Sequence, residues 1–208
     1  MKIKFQQQKM NLYFYKMKNL VFATNNPNKL KEIRNAVSDF KIISLNELNI
    51  NEDIPETGNT LQENALQKAS YIFNKTGENC FADDTGLEIQ ALNNQPGVYS
   101  ARYAGENCNP EDNIQKVLSK LDGKKNRKAT FKTVITLILN NKTYFFEGEV
   151  KGIILEEKNG DKGFGYDPIF KPNGFDVSFA QMSTQQKNEI SHRGLAVKKL
   201  VEFLQNKQ

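Results

Sequence analysis

The chain has one histidine, His192, and two cysteines, Cys80 and Cys108, in 208 residues. One imidazole is too few for a histidine-built zinc centre, and neither cysteine falls in a Cys-x-x-Cys or Cys-His pattern. A single cysteine pair is weak support for an exported disulfide scaffold, so reduced thiols and a cytoplasmic location are expected. No stretch is apolar enough to span a bilayer. The apolar piece at residues 12–15 is far too short for the core of a signal peptide. The Gly-x-x-x-x-Gly-Lys-Ser/Thr pattern is missing, which excludes the usual P-loop. A nucleophile elbow is missing too, which argues against Ser191 and His192 as a serine-hydrolase pair. Repeats, low-complexity tracts and linkers that would divide the chain are also lacking.

What the chain does have is a modest basic excess, 29 Lys and Arg against 24 Asp and Glu, for a net charge of +5. The basic residues are scattered, and the short run at 124–128 reads as a solvated loop. Such a charge draws anions but does not choose between a nucleotide and a nucleic acid. The length suits one domain, or one domain with two lobes.

Hydrophobic periodicity outlines the elements. Residues 20–23 read as a short buried strand, followed by a loop and a helix carrying Leu30, Ile33 and Val37. Residues 40–45 offer a second strand, so the chain opens as a βαβ unit with a parallel sheet. A turn-rich acidic stretch at 51–58 precedes a helix with Leu61, Ala65, Ala69 and Ile72 on one face, capped by Asn59 or Thr60 and ending near Gly77. Ile114, Val117, Leu118 and Leu121 define another helix. Residues 129–139 and 143–150 form an antiparallel hairpin about Asn140-Asn141, with a further strand at 152–155. Residues 187–204 read as one terminal helix, with Lys187 and Ser191 on one face.

The densest chemistry is Phe81-Ala82-Asp83-Asp84-Thr85-Gly86-Leu87. The acids are expected where a strand ends and the backbone turns, the place where α/β proteins gather ligands. Neighbouring strand side chains point to opposite faces, so one acid enters a cleft and the other braces. Read alone, Asp83-Asp84-Thr85-Gly86 is equally consistent with a polar turn. The loop Thr24-Asn25-Asn26-Pro27-Asn28-Lys29 joins strand to helix, where free backbone N–H groups, a helix dipole and the Lys29 charge suit a phosphate. Glu56 and Asp84 are hard oxygen donors of the kind Mg²⁺ prefers. Phe164 between Gly163 and Gly165 offers a flat face for a purine, against a core role for Phe164 or Tyr166. Lys187, His192 and Arg193 form a cationic cluster.

The order of these segments is more specific than any one of them. With Glu56-Thr57-Gly58, residues 96–105, Phe164-Gly165-Tyr166-Asp167-Pro168 and Ser191-His192-Arg193-Gly194, the chain from Leu20 to Leu204 resembles the non-canonical purine nucleoside triphosphate pyrophosphatases, the inosine and xanthosine triphosphatase family. The resemblance implies an elongated α/β fold, with a mixed, twisted central sheet flanked by helices and two lobes enclosing the active-site cleft. It implies a homodimer that hydrolyses ITP, dITP and XTP to the monophosphate and pyrophosphate with Mg²⁺, and no nucleic-acid or membrane partner. Residues 17–208 would form the single two-lobed domain, and residues 1–16 a loosely ordered extension or upstream start.

Carried onto this chain, Thr24, Asn25, Asn26, Pro27, Asn28 and Lys29 would bind the triphosphate. Glu56 and Asp84 would hold Mg²⁺, Asp84 would be the proton acceptor, and Thr85 would touch substrate. Phe164, Gly165, Tyr166 and Asp167 match the base-binding loop, and Lys187, His192 and Arg193 a second group of nucleotide contacts. Asn25 stands where many members have Gly, and Thr85 where many have Ser. Arg102 is left between cleft and dimer contact. Rival readings are a Maf-like nucleotide pyrophosphatase, a single-stranded nucleic-acid binding module and a non-catalytic nucleotide sensor.

Overall fold

The computed structural model describes residues 19–37 and 40–206; the proposed extension at 1–16 lies outside them. The chain opens with β1 (Asn19–Phe22), α1 (Pro27–Ala36) and β2 (Lys41–Ser44), the expected βαβ unit, with β1 and β2 parallel. Then come α2 (Leu61–Thr76), β3 (Cys80–Ile89), β4 (Gln95–Gly97), α3 (Pro110–Lys120), β5 (Lys128–Leu139) and β6 (Lys142–Ile154). β7 (Phe170–Pro172), α4 (Thr184–Ile190) and α5 (His192–Asn206) complete the chain. Among the described residues the sheet runs β2-β1-β3-β5-β6-β7, with β4 added to β3. β1 is parallel to both its neighbours and the remaining pairs are antiparallel, so the sheet is mixed.

Two apolar layers cover the β1 end of the sheet. On one face Leu20, Phe22, Phe81 and Ile135 pack against Ile33 of α1 and Ala196, Val197 and Leu200 of α5. Phe22 and Phe81 stack with centroids 4.5 Å apart, across the point where β1 meets β3. On the other face Val21, Cys80 and Ala82 pack against Ala69 and Ile72 of α2. A separate core surrounds the far ends of β3 and β5, where Leu87, Ile89 and Phe131 meet Ile114 and Val117 of α3 and Phe170 and Phe179. Each fully buried side chain of this size contributes about 2 kcal/mol.

Between these cores β3 carries Asp83, Asp84, Thr85 and Gly86, and this stretch corrects the expectation of a strand end and turn. β3 is continuous from Cys80 to Ile89, and the acids stand in its middle, paired with Ile135 and Val134 of β5. What ends is the neighbour: β1 pairs with β3 only at Cys80 and Phe81, and β4 pairs only at Leu87, Glu88 and Ile89. Among the described residues the edge of β3 from Ala82 to Gly86 has no strand beside it, and the cleft opens there.

Two further expectations change. β6 runs through Gly152 to Ile154 rather than yielding a separate strand. The terminal helix is two helices. Ser191 takes extended angles (φ −72°, ψ 156°), ends α4, and accepts a hydrogen bond from Gly194 N at 3.1 Å. A Cβ on Gly194 would stand 1.8 Å from Asn188 O, so the close corner requires glycine. A continuous helix would point Lys187 and Arg193 about 120° apart, at about 100° per residue. The corner instead brings both onto Glu32, at 3.1 and 2.7 Å.

α5 lies on β6 with similar closeness: a Cβ on Gly148 would meet His192 O at 2.0 Å and Ala196 N at 2.7 Å. Because backbone atoms block it, Gly148→Ala is expected to cost about 2 kcal/mol, in the range for overpacked cores. Urea unfolding checks this, and an unchanged midpoint would contradict the contact.

Candidate functional site

A cleft of about 820 Å³ runs along the open edge of β3. Its walls carry Thr24, Asn25, Asn26, Asn28 and Lys29 from the α1 approach, Glu56, Lys68, Asp84 and Thr85 at the centre, and Phe164, Gly165, Tyr166, Asp167, Lys187, His192 and Arg193 beyond. Nearly every residue singled out in the sequence therefore meets in one cavity; Pro27 sits just outside as the first residue of α1.

The strand period divides the acids. Asp83 follows Phe81 toward α1 and α5, while Asp84 follows Ala82 toward α2. Asp83 is buried, accepting from Lys29 Nζ at 3.0 Å and Arg193 Nε at 3.1 Å. Burial opposes its charge, but Lys29 and Arg193 outweigh that and hold its carboxyl well below the usual range. Burial pulls Lys29 down, with Asp83 only partly opposing. Asp83 is a brace, while Asp84 and Thr85 face the cleft.

On the α2 side, Asp84 Oδ2 accepts from Asn64 Nδ2 at 3.2 Å and its Oδ1 from Lys68 Nζ at 3.2 Å. The same ammonium binds Glu56 Oε1, whose other oxygen lies 3.6 Å from Arg102. Burial pushes the Asp84 carboxyl up, with Lys68 and Lys29 pulling the other way. For Lys68, burial is outweighed by Asp84 and Glu56, so its ammonium is held above the ordinary lysine range. Inner oxygens of two carboxylates thus converge on one cation position. Among the described residues no group of three or more His, Cys, Asp or Glu side chains gathers to hold a metal. The donor set suits a hard divalent cation that completes its shell with water or substrate oxygens.

The α1 loop differs from expectation. Asn26 Oδ1 accepts from Asn28 N at 2.9 Å and Lys29 N at 3.2 Å, so these N–H groups are capped rather than free. Asn25 is not among the non-glycine residues with left-handed angles. Its side-chain amide donates to Glu52 O at 3.3 Å.

At the other end Lys187 Nζ donates to Asp167 at 2.6 Å and Glu32 at 3.1 Å. Arg193 donates to Asp83, Glu32 and Thr85 Oγ1, the last at 3.1 Å. Burial opposes ionisation of Glu32, but Arg193 and Lys187 outweigh it and hold that carboxyl low. Both cations lie over the half-buried Phe164 ring, at 4.8 and 5.4 Å from its centroid. Asp167 also accepts from Phe164 N at 2.8 Å, which fixes the loop. Gly163 has φ +75°, and a Cβ there would stand 2.1 Å from Asp167 Oδ2. Tyr166 belongs to the core and donates its hydroxyl to Ser100 O at 2.9 Å. His192 stacks on Phe131 at 4.5 Å, its Nδ1 has no hydrogen-bond partner among the described residues, and burial, then Arg193, pushes its pKa down. It is a neutral imidazole near pH 7.

A family model described as the Ham1 family matches residues 20–203. The chain belongs to the Ham1 family. A dITP/XTP pyrophosphatase of Flavobacterium psychrophilum is 54% identical over 90% of this chain and 99% of its own length. One from Porphyromonas gingivalis is 52% identical over 90% of this chain and 98% of its own. The fold matches the Ham1 protein of Staphylococcus aureus with a TM-score of 0.84 at 42% identity, covering 92% of this chain and 100% of that one. For the HAM1 protein of Coxiella burnetii the TM-score is 0.85 at 41% identity, with 91% and 100% covered. The mixed α/β fold expected from sequence is thus the fold of this Ham1 chain.

Lys68, Asn64, Glu32 and Arg102 are the residues that sequence reasoning missed or left unplaced. A signal existed for two of them. Asn64 and Lys68 lie on the same helical stripe as Leu61, Ala65 and Ile72, where a polar residue is buried only with a partner. Glu32 carried no such mark.

Asp83 gives a pH prediction. Its folded pKa lies below the unfolded value of 3.8, so its contribution is complete above pH 3.8 and is lost as pH falls below that. Asp83→Asn leaves Lys29 and Arg193 undercompensated and is expected to cost about 3 kcal/mol at pH 7. The gap in urea midpoint between wild type and variant should shrink below pH 3.8. Equal midpoints at pH 7 would refute the brace.

Proposed function

We propose that this protein hydrolyses non-canonical purine nucleoside triphosphates, ITP, dITP and XTP, to the monophosphate and pyrophosphate, using Mg²⁺. The observation that carries the reading is one cleft joining a two-carboxylate cation cradle at Asp84 and Glu56 to a ring and two cations at Phe164, Lys187 and Arg193. The names of the Flavobacterium and Porphyromonas relatives agree with it.

Mg²⁺ held by Glu56 and Asp84 would neutralise phosphate charge and acidify a water. The chain's own residues do the rest. Asp84, its carboxyl raised by burial, takes the proton of the water that attacks the α-phosphorus, and pyrophosphate leaves. Lys29, on the cleft wall, offsets charge developing on the phosphates. Lys187 and Arg193 are donors for a 6-oxo purine and oppose a 6-amino group, and Phe164 supplies a face for the ring. The same reading carries a homodimer, and one two-lobed domain over 17–208. A cytoplasmic location agrees with the free thiols of Cys80 and Cys108, and among the described residues no helix is long and apolar enough to cross a membrane.

Incubation with Mg²⁺ and separate samples of ATP, GTP, ITP, XTP and dITP should release pyrophosphate selectively from the last three; equal release from all five, or none, overturns the reading. Asp84→Asn is expected to lower kcat/KM for ITP by at least ~10²-fold, and a variant within a few-fold of wild type would remove Asp84 from the role of base.

A further inference from the structure

The cation cradle is held from both sides. The inner oxygens, Glu56 Oε1 and Asp84 Oδ1, both meet the ammonium of Lys68. The outer oxygens have separate anchors: Asp84 Oδ2 accepts from Asn64 Nδ2 at 3.2 Å, and Glu56 Oε2 lies 3.6 Å from Arg102 Nη1. Arg102 Nη2 also donates to Glu56 O at 3.4 Å, fixing the backbone that carries the acid. Lys68 itself stands on the buried stripe of α2, its side chain 7% exposed, with Ala65, Ala69 and Ile72 around it. A buried ammonium on an apolar helix face is costly unless paired, and here its partners are the two carboxylates of the cradle.

We infer that Lys68 is the resident counter-ion of the metal cradle: it keeps Glu56 and Asp84 together when no divalent cation is bound, and competes with that cation for their inner oxygens. The inference rests on the divalent-metal reading above and adds a residue that tunes metal affinity. A unit charge within a few ångströms of the cation position is a large repulsion at any protein dielectric. Removing it should therefore tighten metal binding, provided the carboxylates stay in place. The outer anchors Asn64 and Arg102 are what keep them there.

The test is Mn²⁺ binding to the whole protein without nucleotide, followed by electron paramagnetic resonance of the free ion, for wild type, Lys68→Met and Lys68→Arg. Met fills the aliphatic volume without the charge, and Arg restores the charge. Lys68→Met is expected to bind Mn²⁺ at least ~10-fold more tightly than wild type, with Lys68→Arg returning toward wild type. Melting temperatures with and without Mn²⁺ form a second readout, with the larger upward shift in Lys68→Met. Should Lys68→Met be too unstable to titrate, Lys68→Gln takes its place with the same expected direction. Wild-type binding with equal or weaker binding in the charge-free variant overturns the counter-ion role and leaves the metal reading standing. If wild type binds Mn²⁺ no more tightly than a Glu56→Gln, Asp84→Asn double variant, the metal reading fails and the inference falls with it.

Discussion

A carboxylate without water must have cations around it, and Asp83 is that carboxylate. Fixed in the middle of β3, it draws Lys29 from α1 and Arg193 from α5. Glu32 then binds the free arm of Arg193 and the ammonium of Lys187, which in turn holds Asp167. Each charge is satisfied by a residue from another element, so α1, β3, α4, α5 and the loop before β7 are locked relative to one another. Lys29, Thr85, Phe164 and Lys187 take their places on the cleft wall because of this chain of pairs.

Strand geometry lets one sequence position do structural work beside another that faces the cleft. Alternation sends Asp83 into the brace and Asp84 toward α2, and the gap between β1 and β4 along Ala82–Gly86, among the described residues, leaves Asp84 open to the cleft. A full strand there would have filled the edge and closed the site. The sheet is therefore interrupted where the cleft opens, and intact above and below, where the cores lie.

Much of this was legible in the residues. The βαβ start, α2, α3 and the hairpin follow from period and turn chemistry, and the opposed faces of Asp83 and Asp84 follow from the pleat. What sequence hid was long-range. Nothing local in Asp83-Asp84-Thr85-Gly86 says that β5 pairs along its whole length, which turns an apparent polar turn into a continuous strand. The break at Ser191 was hidden because Lys187 to Leu204 keeps helical spacing on both sides, and the close approach of Gly194 to Asn188 O is a contact that the spacing does not show. The capping of Asn28 N and Lys29 N by Asn26 was a readable cap that a phosphate-binding expectation passed over. Lys68 and Asn64 were marked by their place on an apolar face, whereas Glu32 owes its role to partners 155 and 161 positions away.

The corner at Ser191 has a consequence for folding. Arg193 reaches Asp83 across 110 positions and Glu32 across 161, so these pairs form only after long stretches of chain have closed on one another. Until α5 docks, Asp83 and Glu32 lack their guanidinium partner and the wall carrying Lys187 is less firmly anchored. Such an intermediate is less stable and its cleft wall is incomplete, so docking of α5 both consolidates the fold and finishes the cleft.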